Sequence, residues 1–490
     1  MRNTVSDHVF WRDVLPWAAG AAALLSGASL LFRMLWFDEV LTVNLLMKLP
    51  LSRIYFAYEI PNNHIVFTLL EKIWFSLLSS AGSYPYYFFR IPPMIFGAAA
   101  VFLLSRKLIR SCGLLAGILV SGAFAVSAVY ALYATAVRGY MLGFLLMMLA
   151  MQQAEKVIQR GGFRNQLGYF LLALLSVGTA PTNLAALTGV WLYFLPAGIR
   201  RGGTGIKRSI YLLSAPFFAL LLFYLPIHDK IMGCIRLGEG WHSAASAFYT
   251  CSTGMLFPVC GLLIFCFAGA LLLWRKVPRW RGNCLCGLLI LLLPALAYGV
   301  MKVPPFPRVF FPLLAVWLFL LAQSLNGFLK MMKHRQLWIF MVFLLQGSVS
   351  LLFFQERAAA VSSALYDMEG RQDDFIAPYY ARSSFVPNRL LTYLKNKYED
   401  GERFHVFATF DADAPSLVFA GGLVDFPEGV LLADTLNRPK TVRLQDQPGP
   451  KYIISGSEAD LERTKERFGF RSTVLEKRFG CQRLDRVLDP

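Results

Sequence analysis

HIVFTLLEKIWFSLLSS, residues 64–80, decides how the whole chain is threaded. The stretch is apolar, yet it is short and carries Glu71 and Lys72 at its middle. A charged pair at the centre of a bilayer costs several kcal/mol. If this segment crossed the membrane, every basic loop after it would change sides. It is therefore read as an amphipathic helix lying on the outer surface. The first outer loop then becomes long, about 36–90, and holds much of the polar chemistry.

The surrounding sequence supplies the membrane. Of 490 residues, 56% are hydrophobic, and the mean hydropathy is +0.50, too apolar for an ordinary soluble protein of this size. Apolar runs of roughly 18 or more residues read as spans. About eleven are drawn, at 14–35, 91–109, 112–132, 138–155, 167–181, 184–199, 209–227, 252–274, 283–301, 308–327 and 336–354. The pair within 167–199 is divided by TAPTN, which reads as a turn between antiparallel helices. The net charge of +18 would suggest nucleic acid in a soluble protein, but the cations cluster between the apolar runs. Arg106, Lys107 and Arg110, then Lys156, Arg160 and Arg164, then Arg200, Arg201, Lys207 and Arg208 fall in alternate loops. The loops between them carry few, Arg138 and Arg308 among them. The positive-inside rule places the rich loops, and the N-terminus, in the cytoplasm. No nucleic-acid partner is expected.

The N-terminus has no small-residue cleavage site and reads as a retained first span. The eight cysteines form no CxxC pair, and Cys284 and Cys286 are spaced wrongly for zinc. After residue 355 the composition turns charged and polar. FHVFATF (404–410), KYIISGS (451–457) and STVLEKRF (472–479) read as strands. SEADLERTKERFG (457–469) reads as a helix with a Ser or Asp cap and a Gly stop. The expected organisation is a transmembrane domain, 1–355, and an extracytoplasmic α/β domain, 356–490.

Several polar residues fall at the outer face. WFDEVLTVNLL (36–46) carries Asp38 and Glu39 where the first span leaves lipid. A carboxylate there can deprotonate an acceptor hydroxyl or hold a cation, and Asp38 can also cap a helix starting at Val40. YEIPNNHIVF (58–67) supplies Glu59, Asn63 and His64. YALYATAVRGYMLGF (130–144) sets Arg138 between Tyr133 and Tyr140. A guanidinium fork matches phosphate oxygens, although a lone Arg at a span end can simply snorkel. MKVPPFPRVFFPLL (301–314) brings Arg308 after three prolines, and non-helical backbone at this depth usually lines a cavity. Acids beside outer-face arginines suit sugar transfer from a lipid phosphate to a hydroxyl.

The acidic pair after the first span, the Asn/His motif, RGY and PPFPR resemble the GT-C glycosyltransferases. The likeness is to the bacterial branch of the protein O-mannosyltransferase and aminoarabinose transferase superfamily. FFRIPPMIFGAAAVFLLSRKL (88–108), with Arg90, is similar to that family's second span. The resemblance implies an α-helical polytopic GT-C fold in the cell inner membrane. It implies an inverting transfer from a polyprenyl-phosphate sugar to a cell-envelope glycan, lipid or protein. Asp38 matches the essential loop acid and Glu39 its neighbour, both expected to be catalytic. Arg138 matches the phosphate-binding Arg, with Arg308 a second. Glu59, Asn63, His64, Tyr133 and Tyr140 are expected to bind substrate. The chain reads His64-Ile65-Val66 where relatives commonly read His-Pro-Pro. No cofactor is required, and a divalent cation could sit on Asp38 and Glu39. A lipid-linked sugar transporter, or a scaffold without activity, are the rival readings.

Overall fold

The computed structural model describes residues 3–32, 35, 37–58, 63–79, 86–236, 259–277, 280–301, 307–366, 387–409, 414–433, 444, 447–479 and 482–488. The chain divides into two compact units. One comprises Met1–Leu31 and Leu49–Phe354; the other comprises Phe32–Lys48 and Gln355–Pro490.

The first unit is helical. It begins with α1 (Asn3–Ala28), and short α3 (Leu51–Ile54) and α4 (Ile65–Ser79) follow after the segment 32–48. The bundle continues through α5 (Ile91–Cys112), α6 (Leu114–Ala125), α7 (Ala128–Ala134), α8 (Tyr140–Arg160), α9 (Phe163–Thr179), α10 (Asn183–Arg200) and α11 (Gly202–Tyr224). After α12 (His228–Arg236) come α13 (Cys260–Lys276), α14 (Trp280–Met301), α15 (Pro307–Phe310), α16 (Leu314–Met331) and the start of α17 (Arg335–Tyr366). Most expected membrane segments coincide with helical chain where they are described, but 112–132 is divided between α6 and α7, and α1 ends at Ala28, short of the expected 35. Five helices among the described residues are long and apolar enough to cross a membrane: Tyr86–Cys112, Tyr140–Arg160, Gly202–Met232, Trp280–Ala297 and Arg308–Met331. The TAPTN turn falls where the sequence placed it, with α9 ending at Thr179 and α10 starting at Asn183.

Local chemistry fixes the breaks. Gly161, at φ 68, ends α8, and its amide donates back to the carbonyls of Lys156 and Val157. A left-handed residue there is readily supplied by glycine. Ser127 caps α7 by accepting from the amide of Tyr130 at 3.1 Å. The helix ends sort by charge. Lys107 pairs with Glu155, and Arg208 donates to the carbonyls of Ile158 and Arg160, all where α8 ends. Arg138 and Arg308 precede α8 and α16, at the other ends of those helices.

α4 does not sort its residues as expected: its buried face carries Ile65, Phe67, Thr68 and Glu71, and its exposed side carries Leu70, Ile73 and Leu77. Glu71 has no solvent exposure, and neither carboxylate oxygen has a hydrogen-bond partner among the described residues. Burial pushes its carboxyl well above the usual range, so the neutral acid is favoured. The folded state therefore binds a proton that the unfolded chain has lost. Stability falls as pH rises from the ordinary carboxylate range through the raised pKa.

The second unit is α/β. Its strands β1 (His405–Ala408), β2 (Leu431–Ala433), β3 (Lys451–Ser455), β4 (Thr473–Phe479) and β5 (Gln482–Val487) lie in the order β2-β1-β3-β5-β4. β1 runs parallel to β2 and β3, while β5 is antiparallel to β3 and β4. The expected helix is present as α20 (Glu458–Phe468), preceded by α18 (Pro387–Glu399) and α19 (Ala414–Leu423). Ser457 accepts from the amide of Asp460, and Gly469 ends the helix at φ 72. Phe407, Ile453, Leu461, Phe468, Phe470 and Val487 form the core. The segment Phe32–Lys48 packs with this unit, and its helix α2 (Phe37–Leu41) lies against α19.

Glu71→Gln is expected to raise thermal stability at pH 8, because the amide is neutral without taking up a proton, by about 1.4 kcal/mol for each pH unit over which wild type must stay protonated. The gain should vanish towards pH 5, where wild type is already protonated. Unfolding in detergent across pH 5–8.5 tests this; a gain independent of pH would sink the assignment.

Candidate functional site

Within the helical unit the cationic and aromatic residues of interest meet at the break between α7 and α8. Thr135 closes α7 by donating to the carbonyl of Ala131 at 2.9 Å. Residues 135–139 leave helical geometry, and Gly139 is the N-cap of α8. Arg138 is thereby held in the turn with only 4% of its surface exposed. Its guanidinium carbon lies 5.9 Å from the centroid of the Tyr140 ring, within cation–π range. The Tyr140 ring also meets His64 edge-on at 5.2 Å and Tyr133 at 5.1 Å.

His64 precedes α4 and is tied there by its carbonyl, which accepts from the amide of Thr68 at 2.8 Å. Its ring Nδ1 is buried without a hydrogen-bond partner among the described residues. Burial, then the positive charges of Arg138 and Arg308, hold its pKa well below the usual imidazole value. Near neutral pH the ring is uncharged and offers one N–H donor and one acceptor. Arg308 stands three residues before Phe311, whose ring lies 4.5 Å from that of Tyr133, and this carries it towards the same turn. Arg308 arrives on the four-residue α15; the preceding helix ends at Met301, and residues 302–306 lie outside the described chain.

The floor is aromatic. Phe311 lies 4.5 Å from Tyr133 and 5.4 Å from Phe144, and Phe124 stacks on Phe144 at 5.2 Å. Arg138 over such a floor is little screened by water, so its charge is felt by an anion that enters. The close approach that assembles this place is at Gly139. A Cβ there would fall 2.5 Å from the Thr179 methyl and 2.8 Å from His64 Nδ1. Gly139 has φ −71, so the requirement is space and not backbone conformation.

Asn63 is committed to the fold. Its Nδ2 donates to the carbonyls of Ile54 at 2.7 Å and Ala57 at 2.9 Å, and its Oδ1 accepts from Thr68 at 3.0 Å. Glu59 lies outside the described residues. Thus His64, Tyr133, Arg138, Tyr140 and Arg308 come together, with Asn63 bracing the turn beside them. The sequence reading had not singled out Phe311, Gly139 or Thr179. The FF after Arg308 and the Gly of RGY were the available signals.

Asp38 and Glu39 belong to the other unit. Both lie on α2, so Asp38 sits within the first turn and not ahead of it. Glu39 has no exposure, whereas Asp38 is half-buried. α2 runs into a π-helical turn, Thr42–Leu46, a form frequent at functional sites. Neighbouring helix positions point about 100° apart, and the two acids differ in burial. Among the described residues no three His, Cys, Asp or Glu side chains converge as a metal site.

No protein-family model matches the sequence, and no curated protein matches it. Solved structures do. The apo structure of ArnT, an aminoarabinose transferase, from Cupriavidus metallidurans has a TM-score of 0.51 at 12% identity, covering 96% of this chain and 97% of that one. The fold is GT-C. ArnT bound to undecaprenyl phosphate matches with TM-score 0.49 at 12% identity over 96% of this chain and 97% of that one. The Archaeoglobus fulgidus oligosaccharyltransferase, in complex with Zn and sulfate, matches with TM-score 0.43 at 12% identity over 91% and 70%. The small C-terminal sheet and the helical bundle both lie inside the matched GT-C span.

Gly139→Ala is expected to push His64 and Thr179 apart and to destabilise by about 1–3 kcal/mol, the usual result of overpacking. Thermal unfolding reads the loss. An alanine variant as stable as wild type would mean that the contact does not constrain the turn.

Proposed function

We propose that the chain is a membrane glycosyltransferase moving a sugar from a polyprenyl-phosphate donor to an acceptor hydroxyl, with inversion. The observation that carries this reading is Arg138, buried in the turn against Tyr140, with Arg308 arriving just before Phe311 on the aromatic floor beneath Tyr133. The GT-C fold adds the reaction class by analogy.

In this reading the donor phosphate lies on the two guanidiniums, whose planar donor forks match phosphate oxygens. The acceptor oxygen attacks the anomeric carbon from the face opposite the phosphate. The new C–O bond forms as the bond from that carbon to the phosphate oxygen breaks, and the electron pair leaves with the lipid phosphate. Charge grows on the phosphate in the transition state, so Arg138 and Arg308 act most strongly there. His64, kept neutral, donates a hydrogen bond without adding a third positive charge. Asp38 takes the acceptor proton as general base, a role carried by the motif resemblance. Glu39, fully buried, positions its neighbour. Glu59, Tyr133 and Tyr140 are assigned to substrate, the two rings as walls for the sugar or the first isoprene unit. No step is routed through a cation. The basic loops are proposed to face the cytoplasm of an inner membrane, and the C-terminal α/β unit the outside, as a domain over 356–490. The acceptor class is an envelope glycan, lipid or protein.

Transfer from labelled polyprenyl-phosphate sugars to extracted envelope acceptors, by protein purified in lipid, tests the reading. Arg138→Gln is expected to weaken donor use roughly 10–150-fold, the loss of charge-assisted hydrogen bonds of about 1.5–3 kcal/mol. Asp38→Asn is expected to keep donor binding and lose roughly 100–10,000-fold in turnover. Equal transfer by both variants and wild type would remove the mechanism. Donor movement between leaflets without sugar transfer would favour the transporter reading.

A further inference from the structure

At the ends of α8 and α10 remote from Arg138, a second polar cavity opens. It has a volume of about 230 Å³ and is lined by side chains of α8, α10, α14 and α16. α8 runs from Tyr140 beside Arg138 to Glu155 and Gln159 here. At 1.5 Å per residue the two places lie roughly 20–30 Å apart along the bundle. The cavity is thus separate from the cation cluster.

Its charges are unequal. Glu155 is the acid on its wall, and that carboxylate is already matched by Lys107 and by Gln159 Nε2 at 3.0 Å. Arg201 donates to the carbonyl of Gln159 at 2.9 Å, which fixes its guanidinium at the mouth. Arg200, also at the mouth, has no hydrogen-bond or ion-pair partner among the described residues. Two guanidiniums against a neutralised acid leave a site for an anion.

The inner wall asks for something more than an anion. Gln323 donates from Nε2 to the Tyr193 hydroxyl at 2.6 Å. Its Oε1 is buried and lacks a donor. An orphaned buried acceptor costs about 1–3 kcal/mol unless an occupant supplies a hydrogen. That oxygen has almost no accessible surface, so an occupant meets it only when the amide turns toward the cavity, and a hydroxyl or N–H beside the negative charge would then satisfy it. The volume is below the roughly 300–1,000 Å³ of sites for drug-sized ligands and suits a headgroup. Apolar Phe194, Leu320 and Ile158 share the lining. The basic helix ends around it are those the charge pattern assigns to the cytoplasm, and basic pockets between helices on that side hold anionic headgroups.

We propose that this cavity binds the headgroup of an anionic glycerophospholipid, with the phosphodiester on Arg200 and Arg201 and a headgroup hydroxyl on Gln323 Oε1. The same charge could come from free phosphate, but a phosphate ion would leave the apolar lining of Phe194, Leu320 and Ile158 uncovered.

Native mass spectrometry of the full chain, titrated with single lipids, tests this. The probes are phosphatidylglycerol, phosphatidylmethanol, phosphatidylcholine and inorganic phosphate. Phosphatidylmethanol keeps the phosphodiester charge and lacks the hydroxyls. The expected order is phosphatidylglycerol tightest, phosphatidylmethanol weaker and phosphatidylcholine weakest. Arg200→Gln should weaken phosphatidylglycerol at least about tenfold, as loss of a charge-assisted contact does, and Arg200→Lys should recover part of it. Gln323→Leu should erase the preference for phosphatidylglycerol over phosphatidylmethanol and leave the preference for charge. Unchanged helical circular dichroism checks that each variant folds. Equal binding of phosphatidylglycerol and phosphatidylcholine, or an unaffected Arg200→Gln, overturns the proposal. Inorganic phosphate that saturates the site and displaces phosphatidylglycerol overturns the lipid assignment. Sugar transfer is not read in this experiment, so its outcome is independent of the proposed enzymatic activity.

Discussion

The backbone of Gly139 passes so close to His64 and Thr179 that no side chain fits between them. The cation cluster depends on that approach. It docks the start of α4 onto the start of α8 and sets the Tyr140 ring against His64. The same turn keeps Arg138 nearly out of water. A guanidinium confined there cannot be relaxed by solvent, so its charge acts on whatever enters. His64 is kept neutral beside it, first by its own burial and then by the neighbouring positive charges. A residue with a Cβ at position 139 would loosen the turn, and the arginine would regain water.

The polar groups of the molecule are distributed by unit. The arginines and the histidine are carried by the helical bundle, on helix ends and the breaks between helices. The acids of the 36–46 motif are carried by the α/β unit, on a short helix followed by a π-helical turn. Each arrangement is built from backbone that departs from regular helix. Such departures leave amides and carbonyls to be satisfied locally, and they aim side chains that a continuous helix would have aimed elsewhere.

Much of this was readable from residues alone. The apolar runs gave the helices, because length and hydropathy are set by lipid and tolerate little variation. SEADLERTKERFG gave α20, because its cap and stop are local signals. Other features were hidden for physical reasons. β5 reads QRLDRV, too charged for an inner strand, yet it lies between β3 and β4. It is tolerated because Arg483 grips Asp485 with two hydrogen bonds, at 2.8 and 2.9 Å. Glu71 sits in a helix apolar nearly all round, so periodicity could not say which face it occupies. Asn63 looked like a substrate ligand, since a polar side chain beside His64 gives no hint that three partners from the fold already claim it. The grouping of α2 with the C-terminal unit joins residues some 300 positions apart, a distance over which sequence pattern carries no information.

That grouping has a consequence for biogenesis. Residues 32–48 leave the ribosome early, while their partners begin at Gln355. At typical synthesis rates of about 5–20 residues per second, the delay is roughly 15–60 s. During it the acidic helix α2 has no α19 to pack on. Its buried Val40, and Val43 in the π-helical turn that follows, must wait in lipid, on a chaperone or against nascent helices. The acid-bearing segment therefore reaches its final packing only after synthesis of the C-terminal unit, so premature termination would deny even the first-made motif its proper neighbour.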